Sequence, residues 1–381
     1  MELKKLFEGI TDPRETKQQT YPFEYLMLIS ICAFMAGTDS FVGVEDYATA
    51  NKAFFNCYFG AKYIPKHDTF NRLFQNLCPR ELDVWFRKQA SILIQFIEHT
   101  KLPTDDESPK NQKKRHIPID GKTLRNSGVD TAYHIVTAWC SNYKITLGQI
   151  KVAEKSNEIT AIPLLIDSMD VKDAVITIDA IGCQREICEK IIKKEGHYII
   201  AVKDNQPTLF SHVMSQIEED FEKAYSFCKT DNKGHGRKEL RQCFAQSFNS
   251  KKFNGNDWPG LTTIYCVDSD VTRKKKNGDT KRSMMTRYFV SNIRLDADQA
   301  LEIIRNHWGI EVNLHWCLDV SFNEDGACVV LENAAINGNI FRKYALNVHQ
   351  LVKEKRSIKT MFRLCGNPAN AIKILDKIYD A

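Results

Sequence analysis

HIPIDGK (116–122), AYHIVTAWC (132–140) and KITLGQIKVA (144–153) are three consecutive runs rich in apolar and β-branched residues, joined by short polar connections. Runs of that length and composition read as strands. Immediately downstream the character alternates. EITAIPLLIDSM (158–169) has helical periodicity, AVITIDA (174–180) is a buried strand, QREICEKIIKKE (184–195) is a helix and HYIIAVK (197–203) is a further strand. Three strands followed by helix–strand alternation predict an α/β sheet of mixed direction.

Working outward, the stretch from Pro22 to about Thr100 is helical. EYLMLISICAFMAG (24–37) is apolar nearly all round, and Leu82, Trp85, Phe86, Leu93, Phe96 and Ile97 recur at helical spacing. Residues 1–100 therefore form an all-α N-terminal domain. Residues 101–115 are polar, contain Pro and run from acids to bases, as a linker does. From about 206 to 293 the pattern changes again. RKELRQCFAQSF (237–248), LTTIYCVDSDV (261–271) and KRSMMTRYFVSNI (281–293) read as antiparallel strands of a β-rich insertion. Helices close the chain, beginning with AAINGNIFRKYALNVHQLVKEK (334–355).

Composition sets the outer bounds. The chain has 381 residues, 43% hydrophobic and 27% charged, an ordinary globular balance that suits two or three folding units. Its net charge of +5 is too small to argue for nucleic acid unless it is concentrated. The 12 cysteines form no CxxC pair, which points to a reducing cytoplasm and away from structural zinc. No secretory signal is expected at the N-terminus. The longest apolar run, Tyr25 to Gly37, is short of the roughly 20 residues that span a bilayer.

Two acids stand where strands emerge from the sheet: Asp120 ends HIPID and Asp179 ends VITID. Ligands of open α/β sheets collect at these carboxyl ends. A third acid lies in RNHWGIEVNLHWCLDVSF (305–322), where Trp308, Glu311, His315 and Asp319 share one face if the segment is a regular helix. Two readings stay open for it: a core helix with a polar edge, or a helix that brings Glu311 to the two aspartates. Three clustered carboxylates repel and raise one another's pKa. Mg²⁺, with Mn²⁺ able to substitute, removes that repulsion and prefers such oxygen donors. Two such ions can activate a water or 3′-hydroxyl and stabilise the leaving oxygen of a phosphodiester. The plainer alternative is that both aspartates cap turns.

The sequence resembles the H-repeat-associated insertion-sequence transposases, a branch of the DDE transposases with a ribonuclease H-like core. The resemblance runs over nearly the whole chain. It is carried by DPR (12–14), IPKHDTFNRLF (64–74), IDGKTLRNS (119–127), TIDAIGCQ (177–184), HYIIAVKDNQPTLF (197–210), HGRKELR (235–241) and the segment around Glu311. It implies an α/β fold: a ribonuclease H-like mixed sheet with flanking helices, the β-rich insertion and the all-α N-terminal domain, with catalysis in residues 116–381. It also implies that Asp120, Asp179 and Glu311 are the catalytic and metal-binding triad, 59 and 132 residues apart. The activity implied is Mg²⁺-dependent cleavage of insertion-sequence ends and joining of their 3′-hydroxyls to target DNA. A water-only nuclease and a catalytically silent DNA-binding remnant are the alternatives. Partners implied are double-stranded DNA, as terminal inverted repeats and target, and a second copy in the DNA-bound complex. The setting implied is the bacterial cytoplasm at the nucleoid, with no membrane. Departures from the family pattern are Val312 after Glu311, Lys66 in place of a small residue, and Ile304, His307 and Leu318 at the Tyr, Arg and Lys positions of the wider signature.

The remaining candidates are DNA contacts. Lys122 and Arg125 follow Asp120 and suit a phosphate. Lys203, Asn205 and Gln206 leave the strand after Asp179, and Gln184 opens a helix beside it. His315 follows Glu311 by one turn, and Trp308 and Trp316 could stack on an unpaired base. TRKKKNGDTKR (272–282) carries Arg273, Lys274, Lys275 and Lys276 around an Asn-Gly hairpin signal, a basic finger suited to phosphate. Lys110, Lys113, Lys114 and Arg115 form a weaker basic cluster in the linker.

Overall fold

The computed structural model describes residues 6–15, 19–60, 63–100, 114–125, 127, 132–152, 158–219, 221–234, 236–253, 257–274, 279–327, 329 and 331–380. In chain order its elements begin with helices α1 (Phe23–Met35), α2 (Phe41–Ala50), α3 (Lys52–Phe59), α4 (His67–Asn76) and α5 (Pro79–Thr100). Strands β1 (His116–Leu124), β2 (Tyr133–Cys140) and β3 (Ile145–Val152) follow, then α6 (Glu158–Asp167), β4 (Val175–Ile178), α7 (Arg185–Lys193) and β5 (His197–Val202). Next come α8 (Pro207–Glu219), β6 (Ser226–Gly234), β7 (Arg237–Ser247), β8 (Thr263–Lys274), β9 (Thr280–Ser291) and α9 (Ala297–His307). The chain ends with α10 (Glu332–Val352), α11 (Ile358–Cys365) and α12 (Pro368–Tyr379). Contacts group these elements into two units. One holds Met1–Gln112, Gly121–Asn157 and Glu311–Ala381; the other holds Lys113–Asp120 and Glu158–Ile310.

The first unit is organised by helices with no solvent face. The apolar sequence of α1 buries every residue from Tyr25 to Met35. In α10, every residue from Ala334 to His349 is buried, although six of them are polar or charged. A polar group in such a position must be hydrogen-bonded within the protein. Asn337 accordingly donates to the carbonyls of Phe74 and Leu77, at 2.7 and 3.0 Å. Asn347 accepts from the Thr146 backbone N–H and donates to the Thr146 carbonyl, completing the end of β3 as another strand would. Trp85 of α5 stacks on Phe341 of α10, 5.7 Å between ring centres. Strands β2 and β3 form an antiparallel hairpin.

In the second unit the strand order is β1-β4-β5-β9-β8-β7-β6. Strands β1, β4 and β5 are parallel; β9 joins β5 antiparallel, and β8, β7 and β6 follow antiparallel. The strands read as an insertion thus extend one sheet. A strand the sequence did not single out, β6, forms its edge. Helix α9 lies on one face, where Ala297, Ala300, Leu301 and Ile304 pack with Val175, Ile199, Cys243, Ala245, Tyr265 and Phe289.

The segment after α9 is not the regular helix expected. The α-helix stops at His307 with Trp308 as its C-cap, and Glu311–His315 and Cys317–Ser321 are π-helical turns. Gly309, a poor helix former, stands at the change. Such turns often occur at functional sites. No helix among the described residues is long and apolar enough to cross a membrane.

Candidate active site

The second unit supplies two of the three acids. In the parallel pair β1–β4, His116 lies opposite Val175, Ile117 opposite Ile176 and Pro118 opposite Thr177. Continuing that register by two residues sets Asp120 level with Asp179, on strands about 4.8 Å apart. Residues level on neighbouring strands point to the same side. Alternation along β4 identifies that side: Val175 is in the core under α9, Thr177 bonds to His307 of α9, and Asp179 comes next. The strand therefore passes from apolar to hydroxyl to carboxylate as it leaves the core. On β5, alternation from the core residue Ile199 brings Lys203 to the same side.

Asp179 does cap a turn: its carboxylate accepts from the Ile181 N–H at 3.1 Å. Capping does not settle its charge. Surrounding protein raises its pKa above the ordinary aspartate value, and the nearby charge of Glu158 adds to the rise. The Ile181 N–H and Lys203 only partly offset them. A cation at this strand end would relieve the imbalance. The loop after Asp179 is pinned by three amides that the sequence suggested for DNA. Asn205 donates to the Ala180 carbonyl at 2.7 Å, Gln206 to the Cys183 carbonyl at 2.8 Å, and Gln184 to the Ile181 carbonyl at 3.2 Å.

A buried chain of polar groups lies beneath. The Thr177 hydroxyl is 2.8 Å from Nε2 of His116 and 2.9 Å from Nδ1 of His307. A hydroxyl has one hydrogen to give, so at least one ring is the donor. Burial, and then the charge of His307, push the His116 pKa down to about 3, so this ring is neutral. The chain ties the end of α9 to both aspartate-bearing strands. Sequence reading missed it. The signal was present in the period of two: His116 and Thr177 stand four and two residues before their aspartates.

The first unit carries the third acid. Glu311 opens the first π turn with its side chain half exposed, and His315 Nδ1 lies 3.4 Å from its carboxylate. His315 is buried, which lowers its pKa despite Glu311. Asp319, the other acid of this segment, is ion-paired with Lys122. Lys122 also binds Glu324 at 2.6 Å, and Glu324 accepts from Asn339 at 2.6 Å. Burial opposes the ammonium, but the two carboxylates outweigh it and hold the Lys122 pKa above the ordinary lysine value. Lys122, suggested for phosphate, is thus engaged in an ion triad with the buried Glu324 and the partly exposed Asp319. Behind it Lys343 donates to Thr137 and Gln149, and burial lowers its pKa to about 7.

The other candidates are at the surface. Arg125 is exposed, 3.8 Å from Asp325. Lys203, Arg273 and Lys274 are exposed. Trp308 and Trp316 are 57% and 55% exposed, so neither is a core residue. Lys275 and Lys276, with the Asn-Gly turn, and Lys110 and Lys113 of the linker lie outside the described residues.

Comparison with known proteins identifies the family. The family model described as "Transposase DDE domain" matches residues 111–348, and "DDE_Tnp_1-associated" matches residues 4–89. The "H repeat-associated putative transposase YhhI" of Escherichia coli K12 is 33% identical over 371 residues, covering 91% of each chain. YbfD of the same strain, likewise named as H repeat-associated, is 34% identical over 63% of this chain and 93% of its own. An uncharacterized Xanthobacter autotrophicus protein from the dhlA 3′ region is 30% identical over 77% of this chain and 95% of its own. A solved piggyBac transposase synaptic complex with hairpin DNA aligns at a TM-score of 0.40 with 13% identity, over 100% of this chain and 81% of that one, too remote to bear on the fold. The chain belongs to the DDE transposase family, among its H repeat-associated members.

Proposed function

We propose that this protein is a metal-dependent DNA transposase that cleaves the ends of its insertion sequence and joins the freed 3′-hydroxyls to target DNA. The observation that supports the reading is the parallel pairing of β1 with β4, since Asp120 lies on β1 two residues past the last paired position and Asp179 directly follows β4. Asp120, Asp179 and Glu311 hold Mg²⁺, and Mn²⁺ can replace it. The donor set fits: three carboxylates supply the hard oxygen ligands that Mg²⁺ prefers. When bound, the metal supplies activation of the attacking oxygen and stabilisation of the leaving one.

The protein's own groups hold this arrangement. The Thr177 relay and the Lys122 triad fix the segments before and after Glu311, and the amides of Gln184, Asn205 and Gln206 fix the loop after Asp179. Lys203 and Arg125 approach flanking phosphates, and the neutral, buried His315 orients the Glu311 carboxylate. The exposed rings of Trp308 and Trp316 offer stacking surface to an unpaired base. Residues 1–100 recognise the terminal inverted repeats, and two copies act together on paired ends in the bacterial cytoplasm. The test is incubation with Mg²⁺, a duplex carrying the element's flanking repeats and a target plasmid. Joined products support the reading. Cleavage without joining makes the protein a nuclease, and DNA binding without cleavage makes it a silent remnant.

A further inference from the structure

The sheet of the second unit runs on beyond the part that α9 covers. Side chains alternate between faces along each paired strand. Cys243, Ala245, Tyr265, Val267 and Phe289 pack with α9, which fixes the face they occupy. Counting by twos from them, the register places Arg237, Glu239 and Arg241 of β7, Arg273 of β8, and Lys281 and Arg287 of β9 on that same face. Contacts agree with this placement. Arg237 donates to Glu239 at 2.6 Å, and Arg241 is ion-paired with the same carboxylate. The guanidinium of Arg287 lies 5.8 Å from the ring of Trp308, the C-cap of α9.

This face has more positive charge than the protein neutralises. Five cations from the strands meet one strand acid, Glu239, and α9 adds Arg305 together with the acids Asp298 and Glu302, so six cations stand against three acids. Arg237 stands directly opposite Arg273, and Arg273 directly opposite Lys281. Like charges so placed destabilise a sheet unless anions lie over them. The Nε of Arg237 and a terminal nitrogen of Arg241 are buried with no hydrogen-bond partner, and buried donors normally have one. Burial, and then the charge of Arg305, pull the Arg241 pKa below the ordinary arginine value. The opposite face differs. Its five cations are set against Asp231, Asp268 and Asp270, with Arg282 bound to Asp270 at 2.6 Å and Lys238 to Asp231 at 3.8 Å.

We infer that the α9-side face of β7, β8 and β9 is a seat for the phosphodiester backbone of duplex DNA, with Arg237, Arg241, Arg273, Arg287 and Arg305 as its phosphate donors. Guanidinium groups bind phosphate oxygens in bidentate fashion, so such a seat positions a duplex without reading its sequence. The choice of DNA as the polyanion rests on the transposase reading; the seat itself rests on register and charge. Lys274, on the opposite face, lies outside it.

Two charge-matched triple variants test the inference: R237Q/R273Q/R305Q on this face and K229Q/K238Q/R282Q on the other. Each is titrated with a fluorescent duplex over a salt series. Loss of three phosphate contacts lowers the log–log salt slope by about 2.7, at about 0.9 per contact. The expected result is a fall of roughly that size for the first variant and less than half of it for the second. Equal falls, or an unchanged slope for the first variant, overturn the inference while leaving the transposase reading intact. A wild-type protein that does not bind DNA overturns both. If the first triple fails to fold, R273Q/R305Q leaves Glu239 with both arginines and carries the same test, with a fall of about 1.8.

Discussion

Lys122→Met removes the ammonium that joins Asp319 to Glu324 while keeping the length of the side chain. The Lys122 and Glu324 side chains are only 12% and 3% exposed, so the variant leaves a carboxylate in the protein interior without its directly bound cation, with only the more distant Arg342 and Lys343 near it. Breaking a buried ion pair from one side costs about 3–5 kcal/mol. Asn339 still donates to Glu324 and Asp319 can turn to water, so the expected loss lies at the lower end, about 3 kcal/mol. Urea unfolding measures it. Adding Glu324→Gln to the variant restores part of the loss, with a coupling energy on the order of 2 kcal/mol between the two sites. Because Asp319 follows Glu311 by eight residues, loosening this triad also raises the Mg²⁺ concentration needed for half-maximal cleavage, and excess Mg²⁺ recovers rate. If Lys122 instead serves phosphate, the variant keeps its stability within about 0.5 kcal/mol and its DNA-binding salt slope falls by about 0.9. That pair of results refutes the structural role of Lys122.

Three further outcomes follow from the same geometry. Glu311→Gln eliminates cleavage, whereas Asp319→Asn keeps it and loses about 1 kcal/mol of stability, because Lys122 retains Glu324; activities in the reverse order, with both variants folded, reassign the third ligand. Thr177→Val keeps the side-chain shape but deprives His116 and His307 of their bonds to the hydroxyl, at a cost of about 1–3 kcal/mol; a urea midpoint equal to wild type means the relay holds nothing. Burial depresses the pKa of His116 to about 3 and of His349 to about 4, against 6.5 when unfolded. The unfolded chain therefore binds protons that the native protein refuses, and stability falls as the pH drops below 6.5, by up to about 2.7 kcal/mol per pH unit for the two groups. Equal urea midpoints at about pH 7 and about pH 5 contradict that assignment.

The strands flanking the acids were legible because buried parallel strands are continuous apolar runs, and Asp120 and Asp179 interrupt two such runs at their ends. The polar run SFCKTDNKG gave no such signal. It forms β6, paired only to β7 at the sheet edge, where most of its side chains reach water. The π turns around Glu311 were illegible because residues four apart stay on neighbouring faces in either helix type. Lys122 was read as a phosphate ligand from its place in the motif; its partners Asp319 and Glu324 lie 197 and 202 residues away, beyond any local pattern. The row Arg237–Arg273–Lys281 likewise exists only once three strands are in register.

The proposed divalent-metal site has Asp120, Asp179 and Glu311 as its ligands and serves phosphodiester chemistry. Mn²⁺ titration followed by electron paramagnetic resonance tests it without reference to turnover. The wild-type protein is expected to take up Mn²⁺, and Asp120→Asn, Asp179→Asn and Glu311→Gln each to weaken uptake at least about tenfold while remaining folded. Uptake of Mn²⁺ at wild-type affinity by any one of these three folded variants would contradict it.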